Sequence, residues 1–153
     1  MKQSKIFQFC SFVIGDELYG ININEVKEIK DEFKCTPVYH APKGIKGFVN
    51  IRGQVYLVLD LQILLKNKKN KNLKTGHLIL FKNKPGRDHF GIYVDKHSGV
   101  VETDERSIEY QQQDNKNLIS VQNRQHLVIG VCKLQEKLMT ILNIDNLLNA
   151  VNT

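Results

Sequence analysis

Tryptophan is absent from the 153 residues, and proline and cysteine occur three times each. The thiols Cys10, Cys35 and Cys132 are scattered, odd in number and without a CxxC pair. That pattern excludes a disulfide scaffold and a zinc knuckle. Cys10 and Cys132 lie inside apolar runs and read as small buried hydrophobes. No apolar run approaches the ~18 residues of a membrane span. Residues 1–6 lack the apolar stretch and small-residue cleavage site of a signal peptide. The expectation is a soluble, cytoplasmic chain. Apolar residues make up 41% and aromatics 8%, enough for a packed core and too many for wholesale disorder.

Arginine is scarce, at four of 22 basic residues, although the formal charge is +6. The excess is local: residues 66–74 carry five lysines among asparagines. Without them 17 basic side chains face 16 acidic ones. A Lys/Asn run of this kind reads as a solvated loop. Catalytic signatures are missing as well, with no HExxH, P-loop, GxGxxG or nucleophile elbow. Of the histidines at 40, 77, 89, 97 and 126, His89 and His97 would stand ~26 Å apart on an extended strand. Cys35 and His40 have no third group to orient them as a nucleophilic pair. Neither an enzyme nor a cofactor or metal is expected.

What is present is mostly strand grammar. Residues 6–14 form an apolar, β-branched and aromatic run, and Gly15-Asp16 turns it into residues 18–23, where apolar side chains alternate. Asn24 is placed to cap a helical turn over residues 25–29. Pro37, Pro42 and Gly44 mark a loop. Strands are then predicted over 45–51 and 55–59 around Arg52-Gly53-Gln54, with Asp60 capping a short helix over 61–65. Further strands fall at 78–81 and 90–94 around the Pro85-Gly86 turn, with a fragment at Val100-Val101. Residues 111–117 read as a polar loop. A last hairpin spans 127–134 and 138–142, and Asn143 caps residues 144–150.

The spacing repeats. Residues 47–65 overlay 130–148 without a gap at an offset of 83, and Asp60 falls on Asn143. Residues 20–24 resemble 91–95 at an offset of 71. Two copies of one small β unit, each of about 70 residues, lie near the lower limit for an independent core and are expected to pack on each other as two subdomains of one domain. Features shared by both copies serve folding. Arg52-Gly53 is not shared, being Gln135-Glu136 in the second copy, and Glu28 has no evident partner there. A guanidinium at a hairpin tip and a carboxylate on a neighbouring element can form a two-point pair.

These residues resemble the CheW family of chemotaxis coupling proteins. The resemblance runs through residues 19–23, 26–29, 45–53, 58–61, 91–95, 129–131 and 142–144, and covers about residues 5–149 in order. Asn143 stands where the family usually shows Asp, which keeps the cap and loses a charge. The resemblance implies a mainly β fold: two intertwined, five-stranded SH3-like barrels with short helices, forming a single CheW-like domain over 5–149. It also implies a non-catalytic adaptor, recruited to the inner face of the membrane. Its partners would be the helical hairpin tip of a chemoreceptor and the CheW-like regulatory domain of a CheA-type histidine kinase. Val26, Glu28, Arg52 and Gly53 fall in the region associated with receptor and kinase coupling, and exposed apolar ends of the first subdomain are expected at the kinase. The rival reading is a basic small barrel that binds nucleic acid, with strand aromatics such as Phe7, Phe9, Tyr19 and Tyr56 as stacking platforms. Those aromatics are interleaved with aliphatics and not with Arg or Lys, as in a core, so no nucleic acid partner is expected.

Overall fold

Among the described residues, eleven strands and two short helices are built from the segments read above. β1 (Ile6–Ile14) and β2 (Glu17–Asn22) form the first hairpin. Gly15 at its turn has φ 62° and donates its N–H to the Asp95 carboxylate at 2.8 Å. There follow β3 (Val26–Lys30), β4 (Ile45–Ile51), β5 (Gln54–Asp60) and α1 (Leu61–Lys66). The second half comprises β6 (His77–Phe81), β7 (Phe90–Val94), β8 (Lys96–Asp104), β9 (Ile108–Tyr110), β10 (Val128–Lys133), β11 (Leu138–Leu142) and α2 (Ile144–Val151). This computed structural model describes residues 5–66, 76–111 and 124–151. Residues 67–74 of the lysine-rich run and 112–117 of the polar loop lie outside them.

Three local expectations are corrected. Residues 26–30 are a strand, not the end of a helical turn; Asn22, not Asn24, caps a single 3₁₀ turn at Ile23–Glu25. The partner that makes β3 a strand is β6, some 50 residues later, and no local pattern reports it. The fragment at Val100-Val101 is the middle of the nine-residue β8, whose alternate residues are exposed. β9 was not expected, because three residues carry too little periodicity.

The strands assemble into two sheets, ordered β8-β1-β2-β11-β10-β9 and β3-β6-β7-β5-β4. Each sheet therefore takes its opening hairpin from the other copy. β1–β2 pairs with C-terminal strands, while β6–β7 is inserted beside β3, β4 and β5. The two outer strands of the first sheet, β8 and β9, are separated in sequence only by the 3₁₀ turn Glu105–Ser107. So short a link between opposite edges requires the sheet to roll up on itself. In the second sheet Thr36, six residues after β3, bridges Phe48 of β4 and closes the roll in the same way. The result is mainly β, with two interlocked barrels.

The ladders repeat residue by residue. β4–β5 pairs Ile45 with Leu59 and Gly47 with Val58, while β10–β11 pairs Val128 with Leu142 and Gly130 with Ile141, all at an offset of 83 and with the same irregularity between the two pairs. The parallel contacts Val58–Gly91 and Ile141–Gly20 are likewise equivalent. Gly47 and Gly130 are glycines for one reason: a Cβ would lie 2.2 Å from the Thr36 carbonyl oxygen in one barrel and 2.4 Å from that of Glu109 in the other. Both capping residues behave as expected. The Asp60 carboxylate accepts from Gln62 N at 3.0 Å, and the Asn143 side chain from Asn146 N at 3.1 Å.

The largest apolar cluster lies between the barrels and draws on both: Cys10, Phe12 and Ile14 of β1, Leu59, Ile79, Phe81 and Phe90 of the second sheet, and Leu147, Leu148 and Val151 of α2. Smaller clusters fill each barrel, one around Tyr56, Val58 and Tyr93 and one around Phe9, Cys132 and Met139. Phe9, Tyr19 and Tyr56 are buried core, as their aliphatic neighbours implied, while Phe7 packs half-buried against the core. Arg87, only 10% exposed, ties the parts together. It meets Asp145 at the start of α2 at 2.8 Å, the Lys82 carbonyl at 2.6 Å and Glu25 at 3.7 Å.

Candidate functional site

The β4–β5 connection has two residues, Arg52 and Gly53, with φ 52° and 85°. Positive φ at both positions is the type I′ geometry that matches the twist of a tight hairpin. Glycine adopts it freely. An arginine in the left-handed region carries a steric cost of roughly 1–2 kcal/mol, so something other than turn chemistry accounts for Arg52. The Asn50 side chain accepts from Gly53 N at 2.9 Å and fixes the turn.

From that tip the guanidinium reaches β3. Nη1 donates to Glu28 Oε2 at 2.9 Å and Nη2 to Oε1 at 3.1 Å, a two-point pair. Lys30 adds a second cation 3.6 Å from Glu28. The hydrogen bond from Arg52 chiefly holds the Glu28 carboxyl below the ordinary glutamate range, and the same bond raises the guanidinium. The Arg52 side chain is 70% exposed and Glu28 24%, so the pair locks a surface feature and does not seal a core. β3 and β4 are the outer strands of one sheet, and the pair spans the seam between them.

Glu28, Arg52 and Gly53 are thus brought together. Val26 lies on the same strand, beyond a ladder irregularity, opposite Phe81, and packs half-buried against the central core. Among the sequence-selected residues it is the one outside the ion-pair cluster.

The second copy shows what the first has added. Ser11 and Leu80 occupy equivalent ladder positions, so Gly99 stands where Glu28 does, with the irregularity of β3 reproduced in β8. Gln135-Glu136 replaces Arg52-Gly53. The two-point pair belongs to one copy alone.

Two neighbouring features escaped the sequence reading. Lys27, exposed at the β3 irregularity, donates to the Tyr56 hydroxyl at 2.8 Å. Tyr56 in turn meets the His89 ring at 5.7 Å between centroids. Beside them a shallow cleft of about 490 Å³ is lined by Phe48, Val55, Leu57, Arg87, Asp88 and His89, and Val55 is 49% exposed. The alternation Val55-Tyr56-Leu57-Val58 did carry a signal, because period 2 puts Val55 and Leu57 on the face opposite the buried Tyr56 and Val58. Among the described residues no group of three His, Cys, Asp or Glu side chains could hold a metal ion, and no helix is long and apolar enough to cross a membrane.

Comparison with known proteins agrees with this architecture. The family model of the CheW-like domain matches residues 8–152. A chemotaxis protein CheW from Helicobacter pylori is 29% identical over 94% of this chain and 82% of its own length. One from Klebsiella aerogenes is 27% identical over the same shares. Among solved structures, the scaffolding protein TtCheW from Thermoanaerobacter tengcongensis superposes with a TM-score of 0.78 at 26% identity, covering 94% of this chain and 92% of that one. The chain belongs to the CheW-like domain family.

Proposed function

We propose that this CheW-family chain is a non-catalytic adaptor that couples chemoreceptors to a CheA-type histidine kinase, with Val26, Glu28, Arg52 and Gly53 at the coupling surface. The observation that supports this reading is the Arg52–Glu28 pair. It appears in one of two otherwise equivalent hairpins, it holds an arginine in a backbone conformation unfavourable to it, and it leaves the guanidinium largely exposed. Folding alone accounts for none of these, since the second copy folds without them.

Binding would rest on a few desolvated contacts around the hairpin tip, with the rest of the surface supplying fit. The two-point pair presents the tip in one geometry before a partner arrives, which lowers the ordering cost of association. Val26, half-buried beside the pair, would transmit packing between the tip and the central core. Kinase contacts are assigned to the exposed apolar end of the first barrel near Val55. The protein would work in the cytoplasm and reach the inner face of the membrane only through receptors.

The test is co-sedimentation with receptor-containing membranes and a CheA-type kinase, with autophosphorylation followed in the same tubes. Wild-type protein is expected in the pellet and raises kinase activity, whereas folded Arg52→Ala protein does neither. A folded wild type that stays in the supernatant and leaves the kinase unchanged overturns the reading. Binding to nucleic acid that collapses with salt would favour the basic-barrel alternative.

A further inference from the structure

We propose that Tyr56 is a positioning residue for the Arg52–Glu28 pair: its hydroxyl holds Lys27, the extra residue of a bulge in β3, and so aims Glu28 at Arg52. The inference deepens the coupling role proposed above and takes its functional meaning from it. Val26 pairs with Phe81 and Glu28 with Leu80, which leaves Lys27 outside the ladder register between them. Such a bulge re-aims the side chains beside it. A shift of the bulge by one residue would turn Glu28 to the other face of the strand. Lys27 is exposed, and its ammonium donates to the Tyr56 hydroxyl at 2.8 Å. Tyr56 is a fixed anchor, 1% exposed and packed with Val49, Val58 and Tyr93, with its ring set edge-on to that of His89.

The second barrel separates this contact from the needs of folding. There Ser11 pairs with Gly99 and Phe12 with His97, so Ser98 is the extra residue of an equivalent bulge. Met139 stands where Tyr56 does, opposite Cys132 as Tyr56 is opposite Val49, and is fully buried. A bulge therefore forms at this place, and the barrel beneath it fills, with neither the lysine nor the hydroxyl. Both occur in the copy that carries Glu28 and Arg52. A buried tyrosine needs a partner for its hydroxyl, where a purely apolar side chain would pack without one. Adjacent residues of β3 are thus tied to one hairpin, Lys27 to Tyr56 on β5 and Glu28 to Arg52 at its tip. Two tethers fix both the register and the direction of β3 across the seam, whereas the exposed ion pair alone leaves the bulge free to slip.

The test is the titration of Glu28 in the full chain, labelled with carbon-13 at the glutamate carboxyls and followed by NMR. Wild type, Tyr56→Phe, Lys27→Met and the double variant are compared. Tyr56→Phe removes one neutral oxygen and keeps the ring. It is expected to weaken the Arg52–Glu28 pair by about fivefold, on the scale of one hydrogen bond, read as a Glu28 midpoint raised toward 4.5. In the Lys27→Met background the same change is expected to add nothing, because the tether is already absent. Lys27→Arg keeps a cationic donor and is expected to hold the wild-type midpoint. A merely structural loss would lower the thermal midpoint and leave the Glu28 titration where it was. A Glu28 midpoint unchanged by Tyr56→Phe overturns the proposal, and so does an equal rise in both backgrounds. If Tyr56→Phe does not fold, equal Glu28 midpoints in Lys27→Met and Lys27→Arg overturn it. The titration involves neither receptor nor kinase, so its result stands apart from the co-sedimentation test. In that assay folded Tyr56→Phe is expected to need about fivefold more protein for half-maximal kinase activation. Unchanged coupling beside a raised Glu28 midpoint would refute the coupling role of the pair and uphold its positioning by Tyr56.

Discussion

Arg52 and Glu28 lie 24 residues apart in sequence and on the two outer strands of one sheet, yet they form a two-point ion pair of 2.9 and 3.1 Å. The pair closes the seam of a rolled barrel at its surface. Arg52→Ala is expected to keep circular dichroism and thermal midpoint close to wild type, because exposed ion pairs contribute little to stability, while kinase coupling is lost. Arg52→Asn sharpens the distinction. Asn-Gly is the favoured type I′ dipeptide, so this variant should be at least as stable as wild type and still fail to couple. If Arg52→Asn couples normally, the guanidinium has no functional role.

Protonation should separate the two buried or paired carboxylates by sign. Arg52 lowers the Glu28 pKa below the ordinary 4.5. Its contribution is therefore complete above 4.5 and disappears as pH falls through the lowered folded value. Burial raises the Asp60 pKa above the ordinary 3.8, opposed by the Ile63 and Gln62 amides and by Lys46. Stability from Asp60 is therefore present in acid and falls as pH rises from 3.8 through the raised folded value. Denaturant melts of Glu28→Gln and Asp60→Asn between pH 3 and 7 should deviate from wild type in opposite directions.

Asp60→Asn should be tolerated at neutral pH, since the equivalent Asn143 caps α2 with its amide oxygen. Asp60→Ala keeps neither oxygen and is expected to cost about 1 kcal/mol. Equal losses in the two variants would mean that the charge, not the cap, matters at this position.

Gly47→Ala and Gly130→Ala should be equally damaging, by about 2–3 kcal/mol each, because each Cβ collides with the backbone of the neighbouring crossing segment. Urea midpoints of the two variants measure this directly. A large loss at one position with none at the other would contradict the equivalence of the barrels.

Arg87→Lys is expected to lose most of what Arg87→Ala loses, about 2–3 kcal/mol. One ammonium cannot serve Asp145 and the Lys82 carbonyl while covering the Phe90 ring, as the planar guanidinium does. Thermal melts that show full retention in the lysine variant would argue that only the charge is used.

Much of this molecule was legible along the chain. Apolar and β-branched runs bounded by turn residues placed most of the strands, Asp60 and Asn143 announced both principal helices, and the 83-residue repeat anticipated ladders that match pair for pair. Subtracting one copy from the other isolated Glu28 and Arg52 before their contact was known. The sequence could not show that residues 26–30 form a strand, nor that Lys27 meets Tyr56, because both depend on partners distant in the chain.

Local composition by itself determined where the chain extends, turns and caps, since those preferences act over a few residues. Tertiary structure alone decided that the copies exchange hairpins, that each sheet rolls closed, and that Glu28 and Arg52 face each other across a seam. Such pairings are fixed by burying one shared core from both barrels, a property of the whole chain that no window along it contains.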